Sequence, residues 1–211
     1  MSIYQPKDGL FITFEGIDGC GKTLLAQKTA AALKKQGYKV LETKEPGGSP
    51  LGKYLRQMLL KSKAGSVMQE AETLLFLADR AQHCGETIIP ALEEGQIVIC
   101  DRFTDSTLAY QGGGRKIEMN LLKNLNHFAS LGLKPQYTFY LKISLAEAQK
   151  RRDAQSDRME QENAAFFNRV AEVYEGLAEA EPERIITLDA HKTPAELLAR
   201  VMGFLTPALK K

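Results

Sequence analysis

Short apolar runs alternate along the chain with longer stretches in which apolar residues recur every three or four positions. Alternation of a strand-like with a helix-like period marks βαβ units. The first run, Leu10 to Phe14, leads into a glycine-rich turn, and helical spacing then holds from Thr23 to Lys35 and stops at Gly37. Lys39 to Thr43 reads as a second strand and Leu51 to Leu60 as a helix. Gln69 to Glu94 is a long helical stretch that Pro90 should bend or interrupt. Ile97 to Cys100 is wholly apolar, as in a buried parallel strand. Asn120 to Leu131 has helical spacing and ends near Gly132, and Tyr137 to Ile143 is another strand. Ser144 is placed to cap the next helix, with Glu147 three residues on completing a capping box. Helical spacing resumes from about Glu160 to Ala180, Arg184 to Leu188 gives a fifth strand, and Pro194 opens a last helix to about Leu205. The pattern predicts one doubly wound α/β domain spanning residues 1–211. Its five-stranded parallel sheet would carry helices on both faces, in three α/β/α layers. The polar segment Asp153 to Asp157 is the candidate mobile loop.

Composition narrows the class. With 211 residues, 44% of them apolar and 26% charged, the chain can bury a sizeable core without disulfides or a structural metal. A net charge of +2 lacks the basic surplus that a general nucleic-acid binder needs, so no nucleic-acid partner is expected. Cys20, Cys84 and Cys100 form no C-x-x-C pair, and three thiols cannot all pair, which suits a reducing compartment. Met1 to Gly9 lacks the apolar run of a signal peptide, and no apolar stretch approaches the roughly 20 residues that span a bilayer. A cytoplasmic protein with no membrane partner is expected.

The chemistry begins at Gly16-Ile17-Asp18-Gly19-Cys20-Gly21-Lys22-Thr23, which fits G-x-x-x-x-G-K-[ST] between an apolar strand and a helix. Glycines let the backbone wrap a phosphate with its N–H groups inward, and the following helix aims its positive end at the same anion. Lys22 would serve the β- and γ-phosphates of ATP, and the Thr23 hydroxyl is placed to ligate Mg²⁺. Asp101-Arg102 directly follows the strand Ile97 to Cys100, where α/β sheets face their ligand crevice. A carboxylate there can hold Mg²⁺, and an arginine can clamp phosphate oxygens with two hydrogen bonds. This P-loop establishes nucleotide binding but not what accepts the phosphoryl group.

Further motifs bear on the acceptor. The segment Phe14 to Thr23 resembles the P-loop of the thymidylate kinase family, and Glu45-Pro46-Gly47-Gly48-Ser49-Pro50-Leu51-Gly52 resembles its E-P-G-G-T/S-P-L-G segment. Ala78-Asp79-Arg80-Ala81-Gln82-His83 is similar to its A-D-R-A-Q-H helix. Asp101-Arg102-Phe103, Ser106 and Ala109-Tyr110-Gln111-Gly112 are similar to its D-R-[YFH]…S…A-Y-Q-G signature. Asp157-Arg158-Met159-Glu160 resembles the end of its lid.

The resemblance implies a P-loop NTP hydrolase-like fold, transfer of the γ-phosphate of MgATP to dTMP, and a homodimer. It also implies residue roles. Phe76 and Arg80, four apart on a helical pattern, would stack on thymine and hydrogen-bond its edge; without the resemblance the favoured reading of Phe76 is core packing beside Leu75 and Leu77, and the alternative for Arg80 is a solvated helix face. Arg102 would hold the acceptor phosphate, with Ser106 and Thr107 beside it and Gln111 near the base. Tyr110 would pack against the deoxyribose and Asp18 would lie near its 3′-hydroxyl, while Glu45 and Pro46 would shape the acceptor side. The lid, at about residues 150–160, would supply from Arg151, Arg152 or Arg158 the arginine that the P-loop lacks, as in the bacterial arrangement. Lys44 stands where arginine is usual in the family, Leu24 replaces a common threonine, and Asp153 lies where a second lid arginine often sits.

A phosphate acceptor is already mostly dianionic at neutral pH, so no general base is required. His83, His127 and His191 are scattered accordingly. The rival is another P-loop nucleoside monophosphate or deoxynucleoside kinase; a hydroxyl acceptor would need a base such as Glu15. A GTPase should carry N-K-x-D, which this chain does not.

Overall fold

In the computed structural model, which describes residues 9–62, 66–151 and 158–209, the chain alternates strands and helices as the apolar pattern requires. The strands are β1 (Leu10–Glu15), β2 (Val40–Lys44), β3 (Ile97–Asp101), β4 (Tyr137–Lys142) and β5 (Ile185–Asp189). They form one parallel sheet in the order β2-β3-β1-β4-β5. The helices are α1 (Lys22–Lys35), α2 (Pro50–Lys61), α3 (Gln69–His83), α4 (Ile89–Glu93), α5 (Thr104–Thr107), α6 (Met119–Ala129), α7 (Leu145–Lys150), α8 (Ala164–Ala180) and α9 (Pro194–Ala208).

Side chains alternate across a strand, so one strand feeds two layers. From β1, Ile12 and Phe14 enter the larger core with Leu25 and Leu33 of α1, Phe167 and Val170 of α8, and Val201 of α9. Phe11 points the other way, into a smaller core with Ile88, Leu92, Val98 and Phe103. The three cysteines are buried and unpaired. The order of the strands reverses around β1, so the carboxyl ends of β1 and β3 open side by side, with Phe14 opposite Asp101. A crevice at that point is where such sheets bind ligands.

Three stretches depart from the expected pattern. The helix expected over Gln69 to Glu94 ends as a regular helix at His83 and widens into a π-helical turn over Cys84–Ile88 before α4 begins. Pro90 sits in the first turn of α4, where its missing N–H leaves no hydrogen bond broken. Helix α8 starts at Ala164 rather than Glu160, because the Asn163 side chain accepts the Phe166 N–H at 2.9 Å and fixes the start there. Between β3 and α6, α5 and a π-helical segment over Leu108–Gly114 had no sequence signal, since three glycines carry no apolar period. Ser144 does cap α7, but the Glu147 side chain bonds Lys150 instead of closing the box. A full capping box forms at Thr193 and Glu196.

The π segment carries Tyr110 and Gln111, and α8 holds it from behind. Arg169 donates from Nε to the Gly113 carbonyl at 3.0 Å and from Nη2 to the Gly114 carbonyl at 2.8 Å. A Cβ at Gly113 would lie 2.7 Å from the Arg169 carbonyl oxygen, a backbone atom that cannot swing aside. Gly113→Ala is therefore expected to push α8 off this segment and cost about 1–3 kcal/mol of stability. Urea denaturation measures it; an unchanged midpoint would mean the close approach is not required.

Candidate active site

The P-loop turns out of β1 at Gly16, whose φ of 140° is closed to other residues. A Cβ there would also lie 2.8 Å from the Leu141 carbonyl oxygen of β4. The loop delivers Lys22, buried at the start of α1, so that its Nζ donates to Asp18 Oδ1 at 3.1 Å. Arg102, just past β3, donates from Nη2 to the same oxygen at 2.5 Å. Burial alone would raise the Asp18 pKa, but the charges of Arg102 and then Lys22 outweigh it and hold the carboxyl well below its usual range.

Arg102 itself has φ 73°, a left-handed conformation that a non-glycine residue adopts only when its surroundings impose it. Its N–H bonds the Phe14 carbonyl at 3.0 Å, and the Cys100 thiol donates to its carbonyl at 3.0 Å. Around the P-loop opens a cleft of about 760 Å³, lined by residues 18–25 together with Arg151, Glu160, Ala190, Lys192, Pro194 and Leu197.

The Thr23 hydroxyl donates to Asp101 Oδ2, and the other oxygen, Oδ1, is buried without a hydrogen bond. A hydroxyl and an under-coordinated carboxylate beside a phosphate cradle fit Mg²⁺, a hard cation that takes one or two protein oxygens and leaves its other positions to water and phosphate.

A second, smaller pocket of about 90 Å³ adjoins the cleft through Asp18, which lines both. The structure brings together in its wall every residue named above for the acceptor: Asp18, Glu45, Pro46, Phe76, Arg80, Arg102, Ser106, Thr107, Tyr110 and Gln111. Arg80 is buried, and its guanidinium stands 5.2 Å over the Phe103 ring. Its Nε donates to Glu45 Oε2 at 2.9 Å, and Nη1 donates to Thr107 Oγ1 at 2.7 Å and Asn126 Oδ1 at 2.6 Å. Nη2 lies 2.7 Å from Glu45 Oε2. Glu45 is held in turn by His83 Nδ1 at 3.1 Å, and His83 Nε2 reaches Thr43 Oγ1 at 2.6 Å. The Tyr110 hydroxyl donates to Asp18 Oδ2 at 3.1 Å and accepts from Arg102 Nη2 at 3.2 Å, with the Arg102 guanidinium 4.9 Å over its ring.

Of the three lid arginines, the two described ones lie apart. Arg151 lines the P-loop cleft and donates to the Ala190 carbonyl at 2.9 Å. Arg152 lies outside the described residues, as does Asp153 to Asp157. Arg158, one of the three arginines among which the sequence left the choice open, is buried. Its Nη1 lies 2.7 Å from Glu72 Oε2 and its Nε donates to the Leu59 carbonyl at 2.9 Å, so its charge is spent beside the smaller pocket. Glu72 is a hub: it also accepts Nε and Nη2 of Arg115 at 3.1 and 3.0 Å and the Gln111 amide at 3.1 Å. A carboxylate only accepts, so the Gln111 amide nitrogen must face it and the amide oxygen is left for the pocket.

The model of one protein family, thymidylate kinase, matches residues 14–201. The chain belongs to the thymidylate kinase family. A thymidylate kinase of Synechococcus sp. (strain JA-2-3B'a(2-13)) is 46% identical over 95% of this chain and 96% of its own length. One from Desulfovibrio desulfuricans (strain ATCC 27774 / DSM 6949 / MB) is 41% identical over 96% and 97%. The crystal structure of thymidylate kinase from Ehrlichia chaffeensis superposes with a TM-score of 0.76 at 33% identity, covering 93% of this chain and 98% of that one. Thymidylate kinases are phosphotransferases with a phosphate group as acceptor, and the chain has the five-stranded P-loop fold of the family.

Reading the sequence as a thymidylate kinase nonetheless missed Arg56, Leu60 and Met159, which complete the pocket wall, and the Glu72 hub. Arg56 lies on α2 and donates to the Pro46 carbonyl at 2.9 Å, but in the sequence it is one more charged residue on an amphipathic helix.

Burial would raise the Glu72 pKa, but Arg115 and then Arg158 outweigh it and lower it. The carboxylate therefore contributes stability that is fully present above the unfolded-state pKa of about 4.3 and is lost as pH falls through the lower folded value. Glu72→Gln would leave the buried Arg158 guanidinium without its carboxylate and half-buried Arg115 with Glu162 alone, a loss of roughly 3–5 kcal/mol at pH 7. Chemical denaturation at pH 7 and pH 3 should show that gap narrowing in acid. A gap of the same size at both would remove Glu72 as the ionic hub.

Proposed function

We propose that this chain transfers the γ-phosphoryl group of ATP to dTMP, giving dTDP and ADP, within a single nucleoside monophosphate kinase-like domain with a short lid at about residues 150–160. The observation that carries the reading is the meeting of the two cavities at Asp18, where Lys22 from one side and Arg102 from the other converge on one carboxylate oxygen. Phosphates entering from both sides would take over those two cations, which brings the reacting groups together and quenches their repulsion. A phosphate oxygen of dTMP, dianionic above a second pKa of about 6, attacks the γ-phosphorus in line as ADP leaves. No base is needed, and the side chain nearest to that role, Glu15, is buried and already accepts three hydrogen bonds.

Gly16, Ile17, Gly19, Cys20 and Gly21 would cradle the ATP phosphates and Lys22 would neutralise them. Thr23 and Asp101 would hold Mg²⁺, which supplies charge neutralisation across the phosphates when bound. In the pocket, Phe76 offers a flat apolar face and Arg80 a planar donor edge. Gln111 offers an acceptor, which suits the N–H and carbonyls of a thymine ring. Arg102 would clamp the dTMP phosphate, with Arg56 adding charge nearby. Of the lid arginines, Arg151 is the one whose place in the cleft supports a role at ATP.

A homodimer is supported by an apolar face on neighbouring helices: Tyr54 and Met58 of α2, Leu74 of α3, and Leu121 and Phe128 of α6 are all more than half exposed or close to it, Tyr54 and Phe128 at 70%. No helix among the described residues is long and apolar enough to cross a membrane. A cytoplasmic location is proposed with the rest.

The direct test is ADP release with MgATP against a panel of nucleoside monophosphates and thymidine. Turnover should be highest with dTMP, and failure to form dTDP would end the assignment. Lys22→Ala should lower kcat by about 100-fold or more while the circular dichroism spectrum stays native; near-normal turnover would remove Lys22 from the cradle. Tyr110, which lines the pocket beside Asp18, would face the deoxyribose, so Tyr110→Ala should weaken discrimination against ribonucleotides by about tenfold. Competition between dTMP and its ribo counterpart measures that ratio, and an unchanged ratio would count against Tyr110 as the gate.

A further inference from the structure

One buried acid has no part in the chemistry above. Glu15 ends β1, immediately before the P-loop, and is fully buried. Its Oε1 accepts the Phe103 backbone N–H at 2.7 Å. Its Oε2 accepts the Ser106 hydroxyl at 2.6 Å and the Tyr174 hydroxyl at 2.7 Å. Ser106, having donated its proton to Glu15, accepts from Arg102 Nη1 at 3.3 Å, and that same nitrogen donates to the Gly16 carbonyl at 3.1 Å. The carboxylate thus grips Arg102 twice. Through Phe103 it fixes the backbone on the carboxyl side of the left-handed residue, and through Ser106 it fixes the guanidinium.

We propose that Glu15 is a positioning residue for phosphoryl transfer, setting the register between the P-loop and the Arg102 clamp through Ser106 and the Phe103 N–H. The proposal rests on Arg102 holding the acceptor phosphate, as set out above. Glu15 is covalently continuous with Gly16 and so moves with the ATP phosphates, whereas Arg102 moves with the acceptor. A rigid link between them fixes how far apart the two reacting phosphates lie, and a small misplacement there is costly to rate. The link needs an acceptor-only group: all three of its partners donate. A proton on Glu15 Oε2 would turn Ser106 or Tyr174 away.

The groups facing Glu15 are Asp105 and Ser106 of α5, Arg102 and Phe103 before it, and Tyr174 of α8, with the Arg80 guanidinium of α3 and the Cys100 thiol of β3 also within electrostatic reach. Burial, then the Asp105 charge, pushes the Glu15 carboxyl up to about 7 against the opposing pull of Arg102 and the two hydroxyls. The link should therefore weaken in mild acid.

The test measures steady-state kinetics of the full-length wild type and of Glu15→Gln, varying dTMP and ATP separately. Wild-type turnover of dTMP checks the underlying assignment on its own. Glu15→Gln should lose about 100-fold in kcat/KM for dTMP while KM for ATP changes by no more than about twofold. Ser106→Ala should give the same one-sided loss, and the double variant should be no worse than Glu15→Gln, because both cut one chain. The wild-type pH profile should show an acid limb near 7 that stays in place when the acceptor is thymidine 5′-phosphorothioate, whose second ionisation is lower. Glu15→Gln should lack that limb. A comparable rise in KM for ATP, additive effects, or a limb that follows the acceptor would each overturn the proposal. Should Glu15→Gln not fold, Tyr174→Phe combined with Ser106→Ala gives the same cycle. Non-additive loss on the dTMP side supports the link and additive loss overturns it.

Discussion

Two cations sharing one carboxylate oxygen set the terms for the rest of this molecule. Lys22 and Arg102 would repel each other in a buried site were Asp18 not between them. The contact requires the carboxyl ends of β1 and β3 to lie side by side, which the strand order provides, and it requires Arg102 to hold a left-handed backbone. Asp18 is the counter-ion to both. On the proposed function, phosphates arriving from the two cavities would meet positive charge already in place, desolvated and oriented, with little reorganisation left for the reaction step.

The acceptor side obeys the same economy of donors. A guanidinium has five N–H groups. In Arg80, four are committed: Nε to Glu45, both hydrogens of Nη1 to Thr107 and Asn126, and one of Nη2 to Glu45 again. One N–H on Nη2 remains for a ligand. The helix spacing makes this possible, since Glu72, Phe76 and Arg80 follow at four-residue intervals on α3 and so form one stripe that carries the Glu72 hub, the Phe76 ring and the Arg80 guanidinium. Such a stripe has little freedom to rearrange, because re-aiming Arg80 would strand Glu45, Thr107 and Asn126 together.

Much of this was legible in the sequence, for reasons that differ by residue. The strands and the P-loop are local: apolar runs and glycine spacing speak for themselves at Leu10 to Thr23. The pocket residues Phe76, Arg80, Tyr110 and Gln111 lie on two distant segments and were grouped only through resemblance, since nothing in their own spacing separates a pocket-lining ring from a core phenylalanine. Arg56, Leu60 and Met159 carry no local signal, because a side chain that lines a pocket from an amphipathic helix reads as an ordinary position on that helix. The π-helical widenings at Cys84–Ile88 and Leu108–Gly114 were hidden for a related reason: a five-residue hydrogen-bond step leaves no mark in a three-to-four-residue period. The pairing of Arg158 was not legible because its partner Glu72 lies more than eighty positions earlier in the chain.

That last contact explains why so much charge is buried where it adds little stability. Ion pairs removed from water seldom repay their desolvation, so the apolar layers on both faces of the sheet must carry the fold. Glu72, Arg115 and Arg158 are better understood by what they connect. Gln111 lines the smaller pocket, Arg115 ends the π segment, and Arg158 precedes α8. Because a single carboxylate holds all three, Arg158 cannot shift without disturbing the group that orients the Gln111 amide. An apolar cluster of the same volume would hold these elements together as well but would not fix which end of an amide faces the pocket. Direction is what the buried charge provides, and it follows from a property no hydrophobic side chain has: a carboxylate can only accept.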